Sequence, residues 1–428
     1  MLPIEQVEHY CRLWDRKQVE PESMLHRLIR YHKRCELGGW MIRDQAESIV
    51  PLRANRSQFM IRAKMMAQAF EGRPIRLKVL KARKTGVSTE AQALNVDLCA
   101  HYPNQIAKTV AHVADATDEI FEIAKLAAES NVTRPANVIG REITYPDMRS
   151  VYSCHTAGGV AVGAGGPPSL LPLSEIAKWE KNKRETYYNA VNSVPRTPTS
   201  VIIEESTAKG RDLFYVGWEG SIDPNGLYAS LFIPWYVDER LAIPVVGKFE
   251  PIQDEKNLIG FAQGNGIELS YEALAWRREK ISQIGGDVFR QEYPATPEEA
   301  VQATKGLILP GMRACLVDSL PFDPDRVDYR CRVGGIDFGY ADPTVIWSGF
   351  YIDQKLWLCQ YYRRVEGLAA EHVDGVIDAA TYYCDPSGLT DRSELISASG
   401  RAGRHSKFIV APRVKHPGED PSITEIRH

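Results

Sequence analysis

The run Ile75-Arg-Leu-Lys-Val-Leu80 is followed by Lys81-Ala-Arg-Lys-Thr-Gly-Val-Ser-Thr89, and helical periodicity then extends from Glu90 to Ala100. A buried strand, a tight glycine turn and a helix, in that order, form the local setting of a phosphate cradle. Backbone N–H groups at such a turn point at one anion, and the helix N-terminus adds its dipole. Against the pattern GxxxxGK(S/T), Gly86 and Ser88 are in place, but Lys81 stands at the first glycine position and Val87 at the lysine position. From the far end of the loop, Lys81 can fold back over the β- and γ-phosphates. The same residues also describe an ordinary helix N-cap, with Ser88 or Thr89 as the capping residue.

Strand alternates with helix on both sides of this turn. Residues 106–113 read as a second strand and 115–130 as a helix with Ile120, Ile123, Ala124 and Ala127 on one face. That alternation implies a mainly parallel sheet covered on both faces, with ligands at the strand ends. Next comes Ser169-Leu-Leu-Pro-Leu-Ser-Glu175, an apolar run ending in one acid. An acid at such a strand end can activate water, so Glu175 is the candidate base, and Ser174 occupies the place of a metal-holding acid. Pro172 argues against an unbroken central strand, and an edge strand is the plain alternative. Val201-Ile-Ile-Glu-Glu-Ser-Thr-Ala-Lys-Gly210 is a further strand ending in small hydroxyl residues, suited to sensing a γ-phosphate. Upstream, Gln58 has an amide that both donates and accepts, as an adenine edge requires; a surface glutamine is the other reading.

A chain of 428 residues suggests two or three domains, and a formal charge of -3 does not announce a nucleic-acid binder. Contact with DNA would come from local basic stretches such as 178–184 or 401–413, which equally suit a solvated face. The eight cysteines lack a C-x-x-C pair and read as reduced thiols of a cytosolic protein, without zinc or disulfides. Neither a signal peptide nor a membrane span is present in the pattern. Residues 1–50 read as a helical segment, 51–302 as an α/β domain carrying the glycine turn, 303–330 as a proline-bearing linker and 331–428 as a second α/β domain. In the last, Asp337 lies inside a strand and Asp385 ends another, Ala380-Thr-Tyr-Tyr-Cys-Asp385. A charge in a strand interior is costly unless it is paired or bound to metal, although Asp385-Pro386-Ser387 also describes a turn with an N-cap.

The ordered pieces Asn55-Arg-Ser-Gln-Phe59, Lys81–Thr89, Leu173-Ser-Glu-Ile-Ala-Lys-Trp179 and Glu205-Ser-Thr-Ala-Lys-Gly210 resemble the large terminase family of tailed bacteriophages. The likeness continues through 231–238, 269–278 and 291–300. Both the displaced lysine and the Ser-Glu acidic motif occur in that family. The resemblance implies a phosphate-loop ATPase domain followed by a ribonuclease H-like nuclease domain. ATP would be held by Gln58, Lys81, Arg83, Lys84, Thr85, Gly86, Val87, Ser88 and Thr89, with Ser88 approaching Mg2+. Glu175 would activate water, and Ser206 and Thr207 would couple hydrolysis to movement. Asp337 and Asp385, with Asp342 as an auxiliary, would hold Mg2+ or Mn2+ in the nuclease.

The implied partners are double-stranded DNA, a portal protein, a small terminase subunit and further copies in a ring on the procapsid. The implied place is the host cytoplasm, at the portal vertex, with no membrane. An arginine finger is expected, with Arg141 and Arg149 the nearest candidates. The family's third nuclease acid is expected on a late helix well beyond the second; 43 residues follow Asp385, and Glu419 and Asp420, in a Gly-Pro context, are poor substitutes for it. A helicase or recombination ATPase fused to a ribonuclease H-like domain, and a prophage remnant with an inactive nuclease, are the alternatives. Lys81 and Glu175, whose loss would mark a remnant ATPase, are both present.

Overall fold

The computed structural model describes residues 2–411 other than 45, 132, 159–165, 180–183, 208, 211, 224–225, 246, 303–314, 318, 340–342, 366 and 387. It divides into two compact units, Met1–Gly306 and Leu307–His428.

The first unit opens with helices α1 (Pro3–Asp15) and α2 (Met24–Glu36) and a short hairpin of β1 (Met41–Arg43) and β2 (Ile49–Pro51). Then follow α3 (Arg56–Phe70), β3 (Ile75–Lys81), α4 (Val87–His101), β4 (Ile106–Ala111) and α5 (Ala114–Ser130). A small antiparallel extension, β5 (Asn137–Ile139), β6 (Glu142–Tyr145) and β7 (Ser150–Thr156), leads to β8 (Leu170–Ser174), α6 (Arg184–Ser193) and β9 (Val201–Ser206). After α7 (Leu213–Glu219) and β10 (Ala229–Ile233), four helices close the unit: α8 (Gln253–Gly264), α9 (Tyr271–Ile284), α10 (Gly286–Glu292) and α11 (Pro297–Gln302).

Among the described residues the sheet runs β10-β3-β9-β8-β4-β7-β6-β5. From β10 to β7 every pairing is parallel, and only the β7-β6-β5 end is antiparallel. Strands covered on both faces read as continuous apolar runs, as β8 and β9 do. The N-terminal helices are part of this unit's core, since Val7, Leu25, Leu28 and Ile29 share one buried cluster with Leu77, Val79 and Ile203.

Pro172 does not make β8 an edge strand. Instead β8 lies inside the sheet, and the ladder to β4 pairs only Leu170 and Leu173, while Pro172 pairs with Ile203 on the other side. A residue without an N–H interrupts one ladder only, so an interior position survives where the neighbour's pairing lapses.

Helix α4, which follows the glycine turn, is buried on every side, and its charged residues are paired. Glu90 receives a two-point contact from Arg62 of α3 at 2.6 and 2.9 Å, and Asp97 accepts from Arg34 and Trp40. Strand β3 carries Arg76, Lys78 and Lys81, all buried. Arg76 bonds the Ser200 hydroxyl, Lys78 is paired with Glu204 on the adjoining strand, and Lys81 reaches the far end of the sheet. No helix among the described residues is long and apolar enough to cross a membrane.

The second unit holds β11 (Arg332–Asp337), β12 (Thr344–Ile352), β13 (Lys355–Arg364), β14 (Thr381–Cys384), α12 (Leu389–Arg401) and β15 (Lys407–Val410). Its strand order is β13-β12-β11-β14-β15, antiparallel from β13 to β11 and parallel from β11 to β15. It is a mixed sheet in a second α/β domain. Residues 303–314 of the expected linker, and Asp342, Glu419 and Asp420, lie outside the described residues.

Candidate nucleotide site

Because β3, β9 and β8 are adjacent and parallel, Lys81, Glu205, Ser206 and Ser174 come out at one edge of the sheet. The loop after Lys81 turns there into α4. Its conformation requires left-handed backbone at Lys84 (φ 61°) and Gly86 (φ 83°). At Gly86 a Cβ would also lie 3.1 Å from the Gln58 amide nitrogen and 3.2 Å from that of Asn55, so glycine is needed twice over.

The loop is held from behind. Asn55 Nδ2 donates to the Thr85 carbonyl at 3.2 Å, Gln58 Nε2 donates to the Gly86 carbonyl at 3.1 Å, and Thr85 Oγ1 donates to the Ala82 carbonyl. The Arg83 N–H donates to the carbonyl of Glu292 in α10, and Ala82 N–H to that of Ile233. With these carbonyls engaged, the first N–H groups of α4 remain as the donors an anion would meet. Val87 begins the helix, and Ser88 and Thr89 follow in its first turn.

Gln58, the residue expected to meet adenine, is engaged with the loop itself. It sits at the third position of α3, where its Oε1 accepts from the Asn55 N–H in a capping box, and it is 3% exposed. Its amide clasps the loop from beneath. Beyond Asn55 lies a cavity of about 510 Å³ lined in part by Phe59, Met60, Val237 and Ile267, with Arg56 and Glu239 paired at 3.0 Å among its walls.

Lys81 Nζ lies 3.0 Å from Glu175 and 3.1 Å from Glu205. Glu175, in the left-handed region at φ 53°, also meets Lys178 at 3.2 Å and accepts from the Thr207 hydroxyl at 3.3 Å. Burial pushes the Glu175 carboxyl up, but Lys81 and Lys178 outweigh it and hold the group down at about 2. Burial likewise opposes the charge on Lys81, and Glu175 followed by Glu205 keeps it protonated.

A carboxylate depressed on folding stabilises the fold above its ordinary value of 4.5, and that contribution is lost progressively as pH falls from there through about 2. The Glu175 carboxyl resonance, identified by its loss in Glu175→Gln, should therefore stay in its ionised position on going from neutral pH to the ordinary carboxylate value. A midpoint at that ordinary value would show the pairing to be wrong.

Two residues that the sequence reading did not single out complete the site. Glu205 is 2% exposed, and its Oε1 accepts from Ser88 Oγ at 2.9 Å and from Ser174 Oγ at 2.6 Å. Lys178 flanks Glu175, as given above. The available signal was Ser174 itself, because a missing acid directs attention to the neighbouring strand. Of the coupling pair, Thr207 touches Glu175, while Ser206 Oγ accepts from the Ala177 N–H at 3.1 Å.

Arg141 and Arg149 are not brought to this cluster. Arg141 is bonded to Asp118 at 2.6 and 2.8 Å, in the turn between β5 and β6. Strand β6 stands five positions from β3 in the sheet order, or ~24 Å at ordinary strand spacing. Arg149 lies at the start of β7, with φ 51°.

The solved structures this chain resembles include phage large terminases. That of bacteriophage HK97 is 14% identical, with 92% of this chain and 77% of that chain covered and a TM-score of 0.47. A large terminase from a thermophilic bacteriophage is 10% identical over 78% of this chain and 77% of its own, with a TM-score of 0.38. The ATPase domain of a Thermus phage large terminase is 17% identical over 51% of this chain and 87% of its own, with a TM-score of 0.33. No protein-family model matches the sequence, and no curated protein matches it.

In the second unit, Asp337 does not lie inside its strand as expected but ends β11 and is exposed, so no interior charge needs offsetting there, and Asp385 follows β14. These strands are parallel neighbours with Ile336 opposite Cys384, so both acids emerge at the same end of the sheet. The Asp385 N–H donates to the Ile336 carbonyl at 2.9 Å. Burial and then the charge of Asp385 raise the Asp337 carboxyl above its usual range. Among the described residues no group of three or more His, Cys, Asp or Glu converges to hold a metal.

Proposed function

We propose that the chain is a large-terminase-type motor that uses ATP hydrolysis to drive double-stranded DNA into a procapsid. The observation that carries this reading is the convergence of Lys81, Glu175 and Thr207, joined through Glu205 by Ser88, where adjacent parallel strands end. Lys81 and the N–H groups of 83–89 would bind the β- and γ-phosphates, with Gln58 and Asn55 holding the loop in shape. The base would enter the cavity beside Phe59 and Met60. Glu175 would orient and deprotonate the attacking water.

In the present arrangement Glu175 is a feeble base, because Lys81 and Lys178 stabilise its charge. Phosphates that draw Lys81 away would let its proton affinity rise toward the useful range. Thr207, bonded to Glu175, would carry the change into the chain after β9. Mg2+, when bound, would neutralise charge developing on the phosphate oxygens.

The nuclease part of the reading rests on Asp337 and Asp385, whose shared sheet end suits a pair of divalent cations and cleavage of concatemeric DNA. The partners of the reading are a portal protein, a small terminase subunit and further copies of this chain in a ring.

ATP turnover of the full chain, followed with and without double-stranded DNA, is the decisive experiment. The duplex should raise turnover, the stimulation should fade between roughly 50 and 200 mM salt because phosphates are gripped, and a forked duplex should stay paired. Strand separation at the fork would instead identify a helicase.

A further inference from the structure

We propose that Glu205 supplies the carboxylate that holds the divalent cation of a bound Mg-nucleotide, in place of the acid that Ser174 lacks. The inference rests on the nucleotide-site reading given above.

Strand β9 lies between β3, which leads into the phosphate loop, and β8, which leads to Glu175. Ser174 and Glu205 are register partners. Successive residues of a strand face opposite ways, so the adjacent acids divide. Glu204 is engaged with Lys78 and Tyr187 on one face, whereas Glu205 takes hydrogen bonds from Ser88 and Ser174 on the other. A carboxylate on β9 is thereby delivered to the hydroxyl of the strand end that lacks an acid. It also meets the hydroxyl in the first turn of α4, beside the N–H groups that would face phosphate.

The donor set fits the cation. Mg2+ takes hard oxygen ligands in an octahedron, keeps several waters and is usually bound by one or two carboxylates together with substrate phosphates. Two hydroxyls converging on one carboxylate oxygen, without a cage of three or more acids or imidazoles among the described residues, match that habit. Glu175 is less suited, since its described partners are Lys81, Lys178 and Thr207 and do not include Ser88. A 98%-buried carboxylate whose only purpose was to neutralise Lys81 would not need both serines; Lys81, at 3.1 Å, already has Glu175.

The test uses the full chain with Mn2+ as the probe, titrated by electron paramagnetic resonance in the presence of a non-hydrolysable ATP analogue. A fluorescent ATP analogue reports nucleotide affinity in Mg2+ and in EDTA. Glu205→Gln should weaken Mn2+ binding by about 10–100-fold while nucleotide affinity in EDTA does not fall. Adding Ser174→Asp to that variant should restore Mn2+ binding, and the recovery also shows that the fold is intact. Wild-type Mn2+ affinity in Glu205→Gln would overturn the assignment and leave the nucleotide site standing. A wild-type chain that binds the analogue neither in Mg2+ nor in EDTA would overturn both.

Discussion

Glu175→Gln should lower ATP turnover of the full chain by about 100- to 10,000-fold while nucleotide binding persists, the range expected when a positioned general base is removed. Lys81→Ala should lower it by at least ~100-fold and weaken binding as well, because a charge placed against transferring phosphates acts in a site shielded from water. The two variants differ in a second way. The amide of Glu175→Gln remains able to accept from Lys81 and Thr207, so the pocket keeps its shape. Lys81→Ala leaves Glu175 and Glu205 without their shared cation in a buried place. Single-turnover kinetics beside equilibrium binding of the fluorescent analogue separates these effects. Wild-type turnover in both variants would reduce residues 81–89 to a helix cap.

Arg62→Met should destabilise the first unit by about 3–5 kcal/mol, the usual consequence of leaving one member of a buried ion pair alone. Arg62 and Glu90 are 1% and 0% exposed, and they join α3 to the helix that follows the phosphate loop. Burial acts against the Arg62 charge, and Glu90 more than compensates. Arg62→Met with Glu90→Leu should recover most of the loss, because an apolar pair of similar volume often replaces a buried ion pair with little harm. The urea midpoint of the tryptophan fluorescence transition measures both changes. Equal midpoints for the single and double variants would mean that the pair is not coupled.

What could be read from the sequence follows the range over which each signal acts. The strand, glycine turn and helix from Ile75 to His101 depend on neighbours within a few residues, and their periodicity gave them away. The same holds for β4 and β9, read from their apolar runs, and for α5, read from its helical spacing. Glu205 was hidden because its role depends on β9 lying between β3 and β8, a neighbourhood set by chain crossovers. Gln58 drew attention for its amide chemistry, but its position three residues after Asn55 is a local capping signal that was equally available. Pro172 misled because the rule against proline in central strands assumes an intact ladder on both sides. The hairpins β1-β2 and β5-β6 are three or four residues per strand, too short for alternation to register.

Strand β3 places three cations, Arg76, Lys78 and Lys81, among its aliphatic residues, and two of them find carboxylates on β9. Apolar side chains tolerate any partner of suitable bulk, so an all-aliphatic β3 and β9 would pair nearly as well one step out of line. Lys78 opposite Glu204 tolerates no slip that brings Ile203 to it instead. Displaced that way, β9 would bury unmatched charge on both strands, at a penalty that no rearrangement of methyl groups removes. These ions therefore favour the register in which Lys81 and Glu205 also arrive together.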